Sequence, residues 1–161
     1  MARVLIVGCG CRGRTLAARL IAGGYAVRGT TRDPARAAAI EAAGAEAVVA
    51  DPDRLATLVP RLAGVSAVCW LLGSAEAGAE LHGARLRTLL ERLVDTPVHG
   101  LVYEAAGSVD DGLLASGATV VREASTRWRI PVEIVDEDPS ALSEWLAAMT
   151  AAVARVLTDG A

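Results

Sequence analysis

The stretch VLIVGCGCRGRTLAARLIAGG, residues 4–24, decides how this chain is read. Residues 4–7 are an apolar run suited to a buried strand, and residues 14–22 put Leu16, Leu20 and Ile21 on one side of a helix. Between them lies Gly8-Cys9-Gly10-Cys11-Arg12-Gly13. A glycine pattern of this kind says little alone; it gains meaning by following a strand and opening a helix, as it does here. In that setting Gly8 permits the tight turn, Gly10 lets a pyrophosphate approach the backbone, and Gly13 allows close helix–strand packing. Cys11 and Arg12 belong to the same ligand-facing turn. The helix start adds unbonded N–H groups and the positive end of its dipole. The plainer alternative is a glycine turn that holds nothing.

The next segment discriminates between dinucleotides. An NAD site usually ends its second strand with an acid that accepts from the ribose hydroxyls. Here the strand runs into Gly29-Thr30-Thr31-Arg32. The forked cation of Arg32 suits the 2′-phosphate of NADP, the Thr30 and Thr31 hydroxyls can donate to it, and Arg12 offers a second charge. NADP is therefore expected in preference to NAD. The structural alternative for Arg32 is a solvated side chain paired with Asp33.

Outward from this unit the pattern repeats. Strands are expected at 26–28, 47–50, 65–72, 98–103 and 130–135, with helices at 34–43, after Asp51-Pro52-Asp53, at 79–94, 117–129 and 140–157. Residues 105–115 read as a loop. Asp33, Asp51 and Asp138 each precede proline or a helical run as N-caps. Six strands alternating with helices imply an α/β fold: one Rossmann-like, doubly wound parallel sheet in the order 3-2-1-4-5-6, with helices on both faces and a single domain over 1–161.

Composition bounds the function. No apolar run approaches the roughly 18 residues of a membrane span, and residues 4–7 are too short for a signal peptide, so a cytoplasmic protein without a membrane partner is expected. All 16 basic residues are arginine. Seven of them fall in residues 1–36 against one acid; the other nine face eighteen acids. A basic first quarter on an acidic chain suits a bound anion there, not nucleic acid along a whole face. Cys9 and Cys11 lack further Cys or His neighbours, so no metal is expected, and Cys69 reads as a core thiol. The helices around 81–93 and 145–149 are expected to pack on the sheet, and apolar surface left over would serve a homodimer.

The stretch GCGCRGRTLAARLIAGGYAVRGTTRDP, continued by AVVADPDRLATLVPRLAGVSAVCWLLG, resembles the start of atypical and extended short-chain dehydrogenase/reductases, notably their sugar-nucleotide epimerase-like branch. The likeness covers residues 1–73. It implies that Asp51, after the third strand, borders the adenine. It also implies that Leu71, Leu72 and Gly73, at the end of the fourth, border the cofactor's ribose and nicotinamide. The family's usual chemistry employs a tyrosine and a lysine four residues later. This sequence contains no lysine, so that pair is absent, and one helix after the sixth strand leaves little material to enclose a nucleotide sugar. Epimerase or dehydratase activity is accordingly not expected.

Tyr103, Glu104 and Ser108 emerge at the carboxyl end of the fifth strand, where open α/β sheets bind ligands. They are the candidates for the nicotinamide side, with Tyr103 and Glu104 the candidate catalytic residues. The alternatives are a packed Tyr103 and a solvated Glu104. His82 is expected at an exposed or capping position. Three functions follow: an NADP-dependent oxidoreductase passing hydride to a small acceptor, a non-catalytic NADP(H) sensor or scaffold acting through a protein partner, and a regulatory domain like those of potassium transporters. An acid commonly ends the second strand of the last, and this chain has Thr30-Thr31-Arg32 there.

Overall fold

A computed structural model describes residues 1–75 and 78–159. Six strands form one parallel sheet: β1 (Arg3–Val7), β2 (Ala26–Thr31), β3 (Glu46–Val49), β4 (Ala67–Trp70), β5 (Gly100–Glu104) and β6 (Val132–Val135). Their order is β3-β2-β1-β4-β5-β6, as the alternation of elements implies. Register is continuous across the switch point, with Ile6 opposite both Gly29 and Cys69. The central strands are buried on both faces, which is why they read as unbroken apolar runs.

Period two sorts the side chains between two cores. Val4, Ile6, Cys69 and Val102 face α1 (Cys11–Ala22) and α6 (Leu142–Asp159). Leu5, Val7, Trp70, Leu101 and Tyr103 face α4 (Ala84–Leu93) and α5 (Asp111–Trp128). Two short helices, α2 (Ala37–Ala42) and α3 (Leu55–Leu58), complete the crossovers.

Several boundaries differ from expectation for local reasons. α1 starts at Cys11, inside the glycine turn. α5 begins at Asp111 because Asp110 caps it, its Oδ2 accepting from Leu113 N at 3.2 Å, so the expected loop 105–115 closes early. The expected helix 79–94 is broken by Gly83 into a 3₁₀ turn at Ala79–His82 and α4. Asp33 does cap, accepting from Ala35 N at 3.0 Å. Asp51 does not cap a helix; its Oδ1 accepts from Asp53 N at 3.0 Å in a turn, and α3 begins later, at Leu55. Among the described residues, no helix is long and apolar enough to cross a membrane.

Gly117 sits mid-helix in α5, where glycine costs helix stability. Its backbone lies against the Tyr103 ring, and a Cβ there would collide with the phenol oxygen. Gly117→Ala should therefore destabilise the protein by about 1–3 kcal/mol despite its better helix propensity. Thermal unfolding checks this; an unchanged or raised midpoint would contradict the packing.

Candidate functional site

The carboxyl ends of β1, β2 and β4 enclose a cleft of about 370 Å³. Its floor is the glycine turn, and each glycine is there for a different reason. Gly8 has φ +84°, and a Cβ would meet the Leu71 carbonyl oxygen at 2.6 Å. At Gly13 a Cβ would press on Gly8 O at 3.2 Å and on Ile6 at 3.4 Å, so this glycine sets the approach of α1 to β1. Gly10 is unlike both: its φ is −84°, and an added Cβ would meet nothing within 4 Å. Gly10 itself lines the cleft. Among the described residues nothing crowds an added Cβ at 10, whereas a ligand seated against that backbone would.

The donors around this space are arranged for an anion. Arg14 N is the first to bond back into α1, to Gly10 O at 2.8 Å. The N–H groups of Cys11, Arg12 and Gly13 precede it, with no side-chain cap at Gly10 and no acid in the first turn. Thr30 braces the turn from below: its Oγ1 accepts from Gly8 N at 3.1 Å and its carbonyl from Cys9 N at 3.0 Å. Thr31 Oγ1 is engaged with the backbone of Asp33. Both threonines line the cleft while serving the local backbone.

The cations differ from expectation in two respects. Arg32 lines the cleft, and Asp33 is taken up by its cap and by Arg36, 4.0 Å away. Arg36 lines the cleft too, four residues on across the 3₁₀ turn Pro34–Arg36, and sequence reasoning passed over it. Arg12 also reaches the cleft wall, but its Nη2 is bonded at 3.0 Å to both oxygens of Glu104. Its charge is thus already matched.

The remaining candidates fall in three places. Leu71 and Leu72 line the cleft, with Ser74, Ala75 and Leu81; Ala50 and Pro52 flank Asp51 at its other end. Gly73 stands just behind, its N–H donating to Glu104 Oε1 at 2.9 Å and its carbonyl accepting from Val109 N at 2.9 Å. Tyr103 and Glu104 do not line the cleft. As neighbours on a strand they point to opposite faces, Tyr103 toward α4 and α5 and Glu104 toward α1 and α6. The Tyr103 hydroxyl is buried 2.7 Å from His82 Nδ1, and burial pushes its pKa up, the charge of Glu104 adding to the effect. His82 is buried, not exposed; burial lowers its pKa, opposed by a hydrogen bond to the Leu72 backbone. Glu104 is fully buried. Burial raises its pKa above the ordinary carboxylate value, and Arg12, Gly73 and Trp145 offset that rise only in part. Among the thiols, burial pushes Cys9 up to about 11 and Cys69 to about 12, which leaves both as packing groups; Cys11 is exposed on the turn.

A second recess adjoins the first at Ser74 and Ala75. Among the described residues, Gly78, Ser108, Val109, Asp110 and Leu113 also line it. Ser74 Oγ accepts from Ser108 N at 3.1 Å, which ties the loops after β4 and β5.

A family described as NAD(P)H-binding matches residues 8–128, from the first glycine of the turn to the end of α5. The chain belongs to that family. The match agrees with the resemblance to atypical short-chain dehydrogenase/reductases. No curated protein matches the sequence. Among solved structures, a Bacillus halodurans protein assigned as an NAD-dependent epimerase/dehydratase is 20% identical, with a TM-score of 0.70 over 86% of this chain and 71% of that one. Triphenylmethane reductase from Citrobacter sp., solved with NADP(H), is 18% identical, with a TM-score of 0.63 over 82% of this chain and 48% of that one. Vestitone reductase from alfalfa is 16% identical, with a TM-score of 0.63 over 83% and 56%. The chain thus spans about half the length of these two reductases, and at such identities the likeness is one of fold.

The three glycines should separate by experiment. Gly8→Ala should cost about 3 kcal/mol of stability or more, from strain and collision together. Gly10→Ala should cost no more than about 1 kcal/mol, yet weaken dinucleotide binding at least about tenfold. Thermal unfolding and calorimetric titration check both. A Gly10→Ala protein that binds as well as wild type would contradict the cradle.

Proposed function

We propose that the protein binds NADP(H) in this cleft and passes hydride directly to a small acceptor in the adjoining recess. The observation that carries the cofactor choice is the pair Arg32 and Arg36 on the cleft wall, where an NAD site would offer an acid. In this reading the 2′-phosphate lies between their guanidinium groups, with the adenine toward Ala50 and Pro52. The pyrophosphate meets the N–H groups of residues 11–13 over Gly10. The nicotinamide extends past Leu72 toward Ser74 and Ala75, where the two recesses join.

The reduced nicotinamide, when bound, supplies the hydride; the protein's part is to orient it and to shape the space beside it. Leu71, Leu72 and Leu81 give that end an apolar wall, which excludes water from the cofactor's face. No proton reaches the acceptor from Tyr103 or Glu104, because the first hydroxyl is bonded inside the core and the second carboxylate is held by Arg12. Acceptors that take hydride without a protein-borne acid, such as flavin-like or quinone-like rings, fit this arrangement. The same engagement of Tyr103 and Glu104 favours a second reading, in which NADP(H) is sensed and a protein partner responds.

Titration with NADPH and NADH tests the cofactor claim. Arg32→Ala and Arg36→Ala should each cost NADPH about 2 kcal/mol, roughly thirtyfold in Kd, with little change for NADH. Equal losses for both nucleotides would overturn the 2′-phosphate assignment. Loss of NADPH absorbance on adding a quinone or flavin supports hydride transfer; tight binding without turnover supports the sensor.

A further inference from the structure

In the glycine turn, the sequence offers Arg12 to a phosphate, and the fold gives it instead to Glu104, 92 residues on. Glu104 is completely buried at the end of β5. Besides Arg12 Nη2, its oxygens accept from Gly73 N at 2.9 Å and Trp145 Nε1 at 3.1 Å. Every one of these partners is a donor, so the ionised carboxylate suits the site and a carboxyl proton would find no acceptor in it. The Arg12 guanidinium carbon lies 5.6 Å from the centroid of the Trp145 ring, within cation–π range. Arg12 Nε is buried with no hydrogen-bond partner among the described residues. One carboxylate thus joins the first turn of α1, the loop after β4, the end of β5 and the start of α6.

We propose that Arg12 is a positioning residue of the dinucleotide site, clamped by Glu104 and Trp145, and that it keeps this clamp when the dinucleotide binds. The inference rests on reading the cleft as a dinucleotide site. Its physical basis is an asymmetry. Moving Arg12 to a phosphate in the open cleft would gain a partly solvated ion pair. It would leave a fully buried carboxylate without a cation, and an uncompensated buried charge is strongly unfavourable. The clamp instead fixes the first turn of α1, so that the N–H groups of residues 11–13 face the phosphates already aligned. Arg32, with no carboxylate partner among the described residues, and Arg36, exposed and only loosely paired with Asp33 at 4.0 Å, remain as the cleft cations that can read charge.

Calorimetric titration of the full chain with NADP+ distinguishes the two roles by sign. A positioning clamp predicts that Arg12→Met and Glu104→Gln each weaken binding about tenfold. It also predicts that the double variant is no worse than either single one, since the pair acts as a unit. The salt dependence of Kd should match wild type in all three, because no phosphate contact is lost. An arginine that swings to the phosphate predicts tighter binding in Glu104→Gln and a shallower salt dependence in Arg12→Met, and either result overturns the proposal. Should Glu104→Gln fail to fold by circular dichroism, tryptophan emission of wild type against Trp145→Phe decides. The Trp145 contribution should not change on adding NADP+, and a change means that Arg12 has left the ring. A wild type that binds neither NADP+ nor NADPH overturns the cleft reading together with the clamp, whereas a binding wild type with a tighter Glu104→Gln overturns the clamp alone.

Discussion

Two strand ends approach each other as closely as backbone allows, and the rest of the molecule is arranged around that approach. At Gly8 the chain leaves β1 against the Leu71 carbonyl, nearer than any side chain would permit. Because β1 and β4 are neighbours at the reversal of strand order, this contact defines the crevice where open α/β sheets take their ligands. The turn it forces points α1 across the crevice. Gly13 then lets the helix settle on Ile6, and Thr30 holds the turn from the adjacent strand through two hydrogen bonds. A tight turn alone would not need Gly10. At that position an added Cβ would meet nothing within 4 Å among the described residues, which leaves room beside the backbone.

The two faces of the sheet contribute differently. The face carrying α4 and α5 is closed by apolar packing, and its polar atoms are satisfied internally: Trp70 Nε1 donates to Leu81 O at 2.9 Å, and the Tyr103 hydroxyl meets His82. The opposite face carries a buried ion pair where α1 and α6 meet. Such a pair is a poor source of stability, since desolvating two charges offsets most of their attraction. Its value is geometric. An apolar contact between α1 and α6 would permit sliding, whereas one guanidinium nitrogen shared by both oxygens of a carboxylate that also holds Gly73 and Trp145 ties the two helices to the end of β5.

Much of this was legible in the residues. The order of elements follows from apolar runs alternating with helical spacing, and the glycine turn takes its meaning from the strand before it and the helix after it. Arg32 stood out because an acid is usual there. What escaped was long-range or three-dimensional. Nothing near Arg12 in sequence announces Glu104, because the two meet only when β5 and α1 are brought to the same end of the sheet. Arg36 was hidden by proline and helix-cap signals, although four residues across a 3₁₀ turn return it to the side of Arg32. The orientation of Tyr103 was available: Leu101 and Tyr103 share one face, Val102 and Glu104 the other, so the pleat already turns the Tyr103 ring toward α4 and α5. The early start of α5 was equally available in Asp110, whose cap was obscured by the glycines and serines around it.

If the first turn of α1 receives the phosphates of a dinucleotide, its unbonded backbone N–H groups take the new hydrogen bonds. Amide NMR of the labelled chain during titration with NADP+ tests it most directly, since it reads the backbone donors themselves. The largest shifts should fall on Gly10, Cys11, Arg12 and Gly13, with a second group at Arg32 and Arg36, and NAD+ should move the first group without the second. Shifts confined to other surfaces, with residues 10–13 unmoved, would contradict it.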